Sequence, residues 1–382
     1  MSVRFHGECL LAGAMLACCT LAQSAECLLG PGPLRLGTVD PVMHYMIDHV
    51  APDMKDYCLA GTASTPASIL EKCFDSVNHE FSKRYGTITK SIEESMARIN
   101  AITLPVDGEG NMACPGSKNG AKKVTSAPIQ LPYHIAPGNP KAQSRDLDDM
   151  ISALKLDKIP DKALSVSAVR LSLGRGSAED YQRAVRRLAC VSGSEFATPE
   201  GAKAALAKAK IGVDCAGAVQ INLRDAAGKT DNHSLGLGNS TNEAFYNGDM
   251  LKRPKSYRHT TDPLAIRPGD VIPLDRPNAK IVGHVVIAQD VQFEVAKKDS
   301  HLAGKTPGDK DIGFDTHPND QLMKVKVGSS WGGDGPSVQT WVYNMRTKQW
   351  AAEKPDGSYF FDVSGPYNHP YAGQYRFNEF IP

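Results

Sequence analysis

The feature that most constrains this chain is a single change of hydrophobic rhythm. Between residues 66 and 102 the side chains of Ile69, Cys73, Phe74, Val77, Phe81, Tyr85, Ile88, Ile92, Met96 and Ile99 recur at steps of three and four, which lines them up on one face of a helix. Thr65 and Pro66 supply its N-cap and first position, and Gly86 is where it would break. Beyond residue 270 the apolar residues come instead in short β-branched runs, at 270–274, 284–288, 291–295 and 323–327. These predict strands, and 340–344 and 349–353 flank a turn as a hairpin. Helical rhythm first and strand rhythm after it predict an α+β fold, helices packed on an antiparallel sheet.

Further helices are expected over 178–191 behind Ser177, over 199–210 behind Thr198 and Pro199, and from Asp214 or Cys215 onward. A shorter helix over 42–50 ends before Pro52, so residues 25–104 read as a helical N-terminal region, a hairpin able to dock a protein partner. Residues 105–160, rich in Gly, Pro, Lys and Ser up to about 140, read as a loop or linker. Residues 161–382 are left as the main domain.

Residues 1–24 have the build of a secretory signal. Arg4 and His6 precede an apolar stretch over 9–22, and in Ala22-Gln23-Ser24 both cleavage-defining positions are small. The expectation is a periplasmic or secreted protein. Met15, Leu16, Ala17 and Cys18 fit a lipid-attachment box only in part, because Leu16 is bulky. No later run approaches the roughly 20 apolar residues of a membrane span. With 41% apolar and 22% charged residues the chain has the composition of a globular protein. Its 43 Lys and Arg against 42 Asp and Glu leave a net charge of +1, too little to draw it to nucleic acid. Arg183, Arg186 and Arg187 accordingly read as a solvated or ion-paired face. After the signal, Cys27, Cys58, Cys73, Cys114, Cys190 and Cys215 remain, a set that invites disulfides in an exported protein.

The chemistry concentrates in two segments. In Ile211, Gly212, Val213, Asp214, Cys215, Ala216, Gly217, Ala218, a cysteine falls in the first turn of a helix. Unpaired N–H groups and the helix dipole there favour a thiolate, and small neighbours admit a substrate backbone. The same N–H groups can hold an oxyanion; a buried structural cysteine is the alternative. In the second segment, Ile266, Arg267, Pro268, Gly269, Asp270, Val271, Ile272 form a turn into a strand, and Val282, Gly283, His284, Val285, Val286, Ile287 place a histidine at the head of the next. A histidine so placed can present one ring nitrogen to a thiol, or be a satisfied core residue.

Together, Asp214-Cys215-Ala216-Gly217, Arg267-Pro268-Gly269-Asp270 and Gly283-His284 resemble the NlpC-type cell-wall peptidases, a bacterial branch of the papain-like cysteine peptidases. The resemblance covers about residues 178–343. It implies a papain-like core, Cys215 as nucleophile, His284 as base, the Cys215 backbone in the oxyanion hole, a peptidoglycan or peptide substrate, and no metal or organic cofactor. Ala216 stands where the family usually has Ser, and the family's aromatic-Gly motif before the cysteine is not recognisable. The family's third residue, which orients the histidine, lies on the following strand. Gln292 and Glu294 offer themselves there, but 297–320 reads as an insertion, and the run from Val325 to Gly333 looks more like that strand. Position 327 is apolar, so Ser329 is the side-chain candidate, with a backbone carbonyl or water as the alternative.

A catalytic Cys215 must stay reduced, and Cys190 shares an apolar helix face with Val185, Leu188 and Val191, which suits a buried thiol. Cys27, Cys58, Cys73 and Cys114 are then expected to pair among themselves, with Cys58–Cys73 favoured. Two rivals remain: an acyltransferase or transglutaminase-like enzyme with the same thiolate, and a non-catalytic secreted binding protein. No histidine spacing suits zinc, and Gly236-Leu237-Gly238-Asn239-Ser240 lacks the spacing and lysine of a phosphate loop. Trp331, Trp341 and Trp350 read as groove or core residues.

Overall fold

The computed structural model describes residues 66–380, except 115–119, 136–138, 159, 232–233, 236–255, 276–281, 306–309, 362–364, 367–370 and 372. The signal, the 42–50 helix, Cys27 and Cys58 lie outside the described residues, as does the side chain of Cys73. Among the described residues the fold is α+β, with six α-helices and an eight-stranded antiparallel sheet.

Helix α1 (Pro66–Asn100) runs unbroken through Gly86, about 50 Å at 1.5 Å per residue. Its apolar stripe is the expected one: Phe74, Val77, Phe81, Tyr85, Ile92, Met96 and Ile99 are all buried. A two-stranded ribbon follows, β1 (Asn111–Ala113) with β2 (Ala121–Lys123). Then come α2 (Pro140–Ala153), α3 (Lys162–Ser172), α4 (Ala178–Ser192) and α5 (Pro199–Lys208), each packed on the next. Helix α2 falls inside the segment read as linker. Asn139 accepts N–H bonds from Lys141 and Ala142, Pro140 takes the first turn, and Met150 is buried, so a local cap outweighs the loop-like composition before it. Thr198 caps α5 as expected, its hydroxyl accepting from Gly201 N.

Helix α6 (Cys215–Ala226) packs on α1 and on two strands of the main sheet. That sheet comprises β3 (Tyr257–Thr260), β4 (Val271–Asp275), β5 (Val282–Val295), β8 (Gln321–Trp331), β9 (Gly335–Asn344), β10 (Gln349–Glu353), β11 (Tyr359–Phe360) and β12 (Gln374–Phe377). Its order is β11-β10-β9-β8-β5-β4-β12-β3. The runs 284–288 and 291–295, read as two strands, are one. The register slips between Ala288 and Asp290, and this bulge lets apolar residues on both sides of it keep facing the same core. The expected insertion folds as a hairpin of β6 (Ser300–Lys305) and β7 (Asp311–Thr316), so β8 is the strand that pairs with β5.

Strand alternation divides the sheet between two cores. Val271, Val285 and Ile287 join α6 and the helical layer. Ile272, Leu274, Val286, Ala288, Val325, Val327, Trp331 and Trp341 join the N-terminal half of α1. Trp331, Trp341 and Trp350 follow one another at 6.4 Å between ring centroids inside this second core, so they are core residues and not the walls of a groove.

The cysteine expectation is corrected here. Cys190 is not a thiol: it forms a disulfide with Cys114, 76 residues away. The bridge ties the end of β1 to α4, on which the neighbouring strand β2 packs. Its loop length stabilises by about 4 kcal/mol on the chain-entropy account. Non-reducing peptide mapping is expected to recover the Cys114–Cys190 peptide pair, and reduction to lower the urea midpoint. Recovery of Cys190 as an alkylatable thiol from native protein would contradict the pairing.

Candidate functional site

The start of α6 is assembled from three backbone segments in close contact. Residues 131–134 run beside 211–214: Val213 N donates to the Pro132 carbonyl (3.0 Å) and His134 N to the Val213 carbonyl (3.2 Å), with a parallel bridge from Tyr133 to Val213. The turn between α3 and α4 closes the junction, its Gly174 carbonyl accepting from Asp214 N at 3.3 Å. Glycine is required where these segments meet. A Cβ on Gly217 would lie 1.9 Å from the Gly174 carbonyl oxygen, and one on Gly212 2.5 Å from the Pro132 oxygen. Gly174 itself has φ +74°, a left-handed conformation that disfavours other residues.

Asp214 is extended (φ −85°, ψ 172°) and caps α6, its Oδ1 accepting from Gly217 N at 2.5 Å. Cys215 is thus the first residue of the helix, as the sequence suggests, and it is a buried thiol at 1% exposure. Asp214 is buried as well and faces Arg175 Nη2 at 3.3 Å. Burial pushes its carboxyl above the usual range, against the pull of Arg175.

The second motif holds the sheet together. Asp270 accepts from Arg267 N (2.9 Å) and takes a bidentate pair from Arg376 of β12, Nε at 2.7 Å and Nη2 at 2.8 Å. Gly269 N donates to the Ala288 carbonyl and Ala288 N to that of Asp270, both at 2.8 Å. Asp270 thereby fixes β4 to β12 while the turn docks on β5. Burial raises its carboxyl pKa, opposed chiefly by the Arg376 hydrogen bonds.

His284 lies at the beginning of β5, opposite Leu274 of β4, where the pairing slips between Leu274 and Asp275. It is 6% exposed, and its ring sits 4.4 Å from that of Trp331. Its side chain therefore shares a sheet face with Leu274 and Trp331, while Val285 and Ile287 face α6 and share a core with Cys215. Ser329 is buried on β8, and its hydroxyl donates to the Val285 carbonyl at 2.7 Å. Ser330 Oγ donates to the Val213 carbonyl at 2.6 Å. Neighbouring serines on one strand thus grip the backbone next to His284 and the backbone leading to Cys215. Having committed its proton to Val285, the Ser329 hydroxyl can serve a ring N–H only as acceptor. Gln292 bonds Asp290, and Glu294 pairs with Lys324 at 2.9 Å, farther along the same strand as His284.

Three neighbours were missed in the sequence. Trp331 lies in the Ser-Ser-Trp-Gly-Gly run already singled out, but its contact with His284 depends on the register of β8. Tyr133 sits in the segment read as linker, and Arg175 in a turn without a motif. Among the described residues no group of three or more His, Cys, Asp or Glu is placed to hold a metal ion, and no helix is long and apolar enough to cross a membrane. Comparison of the chain with protein-family models, curated proteins and solved structures finds no match.

Because the Gly217 Cα lies against a backbone carbonyl that cannot swing away, Gly217→Ala is expected to destabilise the fold by about 2 to 4 kcal/mol. Thermal unfolding would show this as a lower Tm. A Tm equal to that of the parent would mean that Gly174 and Gly217 are not packed this closely.

Proposed function

We propose that this chain is an exported cysteine hydrolase that cleaves amide bonds in peptidoglycan stem peptides, with Cys215 as nucleophile and His284 as base. The observation that carries the reading is the position of Cys215 as the first residue of a capped helix. There the N–H groups and helix dipole stabilise both a thiolate and an oxyanion. The assigned bond and substrate rest on the motif resemblance. The Cys114–Cys190 disulfide suits the oxidising compartment to which a secretory signal leads.

In the reaction, His284 takes the thiol proton and the thiolate attacks the amide carbonyl carbon. Backbone N–H groups at Cys215 hold the tetrahedral oxyanion. Its collapse breaks the C–N bond, and the imidazolium protonates the departing amine. Water, deprotonated by His284, then cleaves the thioester and releases the carboxylic acid. Because Val285 and Ile287 face α6 and His284 faces Trp331, the imidazole has to meet the thiol around the end of β5. The pairing slip at Leu274 and Asp275 lies at that end.

The same facing favours a second reading, a binding protein in which Trp331 keeps His284 in the core and the thiol is idle. Incubating purified mature protein with peptidoglycan fragments and analysing the products by mass spectrometry separates the two. Hydrolysed stem peptides are expected, with turnover lowered about a thousandfold or more in folded Cys215→Ala and His284→Ala. Undiminished turnover in either variant, or no cleavage by the wild type, would refute the hydrolase.

A further inference from the structure

Next to Cys215 the fold has sealed in a carboxylate, an arrangement that works against a thiolate. Asp214 is 2% exposed and Arg175 4%. The Asp214 side chain caps the helix by accepting from the Gly217 N–H. An uncompensated carboxylate on the residue next to the cysteine would raise the thiol pKa. The compensating charge belongs neither to α6 nor to the sheet. It comes from the turn between α3 and α4, the same turn whose Gly174 carbonyl receives Asp214 N–H and lies against Gly217.

Among the described residues, Tyr181, His134, Asp180 and Arg224 are titratable or charged groups acting at this end of α6 or on the turn beside it. The Tyr181 hydroxyl donates to the Gly212 carbonyl at 2.9 Å, and burial drives its pKa well up, so it stays neutral. His134 Nε2 donates to the Ser172 carbonyl at 2.9 Å. Arg224 projects toward the Gly176 carbonyl at 3.4 Å, and Asp180 pairs with Arg170 at 3.0 Å. Among the described residues Arg175 is the cation that ion-pairs with the Asp214 carboxylate, and His134 adds a smaller pull on it.

We propose that Arg175 is a positioning residue for the thiol: by neutralising Asp214 it lets that carboxylate cap α6 without suppressing ionisation of Cys215, and through it the helical layer sets the acidity of the nucleophile. The inference deepens the reading of Cys215 as nucleophile and rests on it. A merely structural Arg175 would govern stability and leave the thiol's titration untouched.

The test is the pH titration of thiolate absorbance in the full chain, taken as the difference from Cys215→Ala protein. Arg175→Gln is expected to raise the Cys215 pKa by about one unit or more, and Asp214→Asn to lower it. Arg175→Lys should stay near the wild type. The double variant Arg175→Gln, Asp214→Asn should return toward it, because the unpaired charge is gone. An unchanged pKa in Arg175→Gln, or a double variant shifted as far as Arg175→Gln alone, overturns the proposal. If Arg175→Gln does not fold, Asp214→Asn decides: a lowered pKa supports the proposal and an unmoved one refutes it. Wild-type protein that shows this pattern but hydrolyses no peptidoglycan fragment would fault the assigned reaction while upholding the role of Arg175.

Discussion

The structure turns on the Asp214–Arg175 pair at the head of α6. A buried carboxylate is tolerated only when its charge is met and its lone pairs are occupied, and here Gly217 N–H and Arg175 do both. Much of the surrounding architecture follows. Arg175 must arrive from the side, so the turn between α3 and α4 is pressed onto the helix end, which in turn demands glycine at 174 and 217. The helical layer that delivers this turn interrupts two segments, 131–134 and 211–214, that pair as neighbours. The Cys114–Cys190 bridge ties α4 of the same layer to the β1–β2 ribbon.

On the sheet side a second buried carboxylate plays the corresponding part. Asp270 joins β4 to Arg376 of β12 through a bidentate pair, whose planar geometry fixes direction as well as distance. Strand β5 is thereby held on one side by β4 and on the other by β8, and β8 contributes the serines that grip the Val285 and Val213 carbonyls. The segments carrying Cys215 and His284 are thus referred to one strand. Trp331, on that strand, covers the His284 ring.

What could be read in the sequence is what short-range physics writes there. The α1 stripe, the Thr198 cap with Pro199, and the start of α6 at Cys215 are local patterns, and all three appear in the fold. The loop-like composition before residue 140 hid α2, whose Asn139 cap is equally local. The bulge after Ala288 made β5 look like two strands, because one extra residue flips the alternation. The Cys114–Cys190 bond and the Arg175–Asp214 contact join residues 76 and 39 positions apart, and nothing in either neighbourhood announces its partner. That the strand after the 297–320 insertion lies beside the one carrying His284 could be read in the sequence, but the direction in which the Ser329 hydroxyl donates depends on how β8 meets β5.

In the proposed mechanism Cys215 and His284 act together as a thiolate and an imidazolium. The most direct measurement is the rate at which iodoacetamide alkylates Cys215 in native protein between about pH 4 and pH 9, read by peptide mass in the wild type and in His284→Ala. A pair predicts labelling that persists well below the ordinary thiol pKa of about 8.5, ahead of every other cysteine, and that shifts upward by pH units when the imidazole is removed. A single titration near the ordinary value that ignores His284, or a Cys215 that reacts only after unfolding, would contradict it.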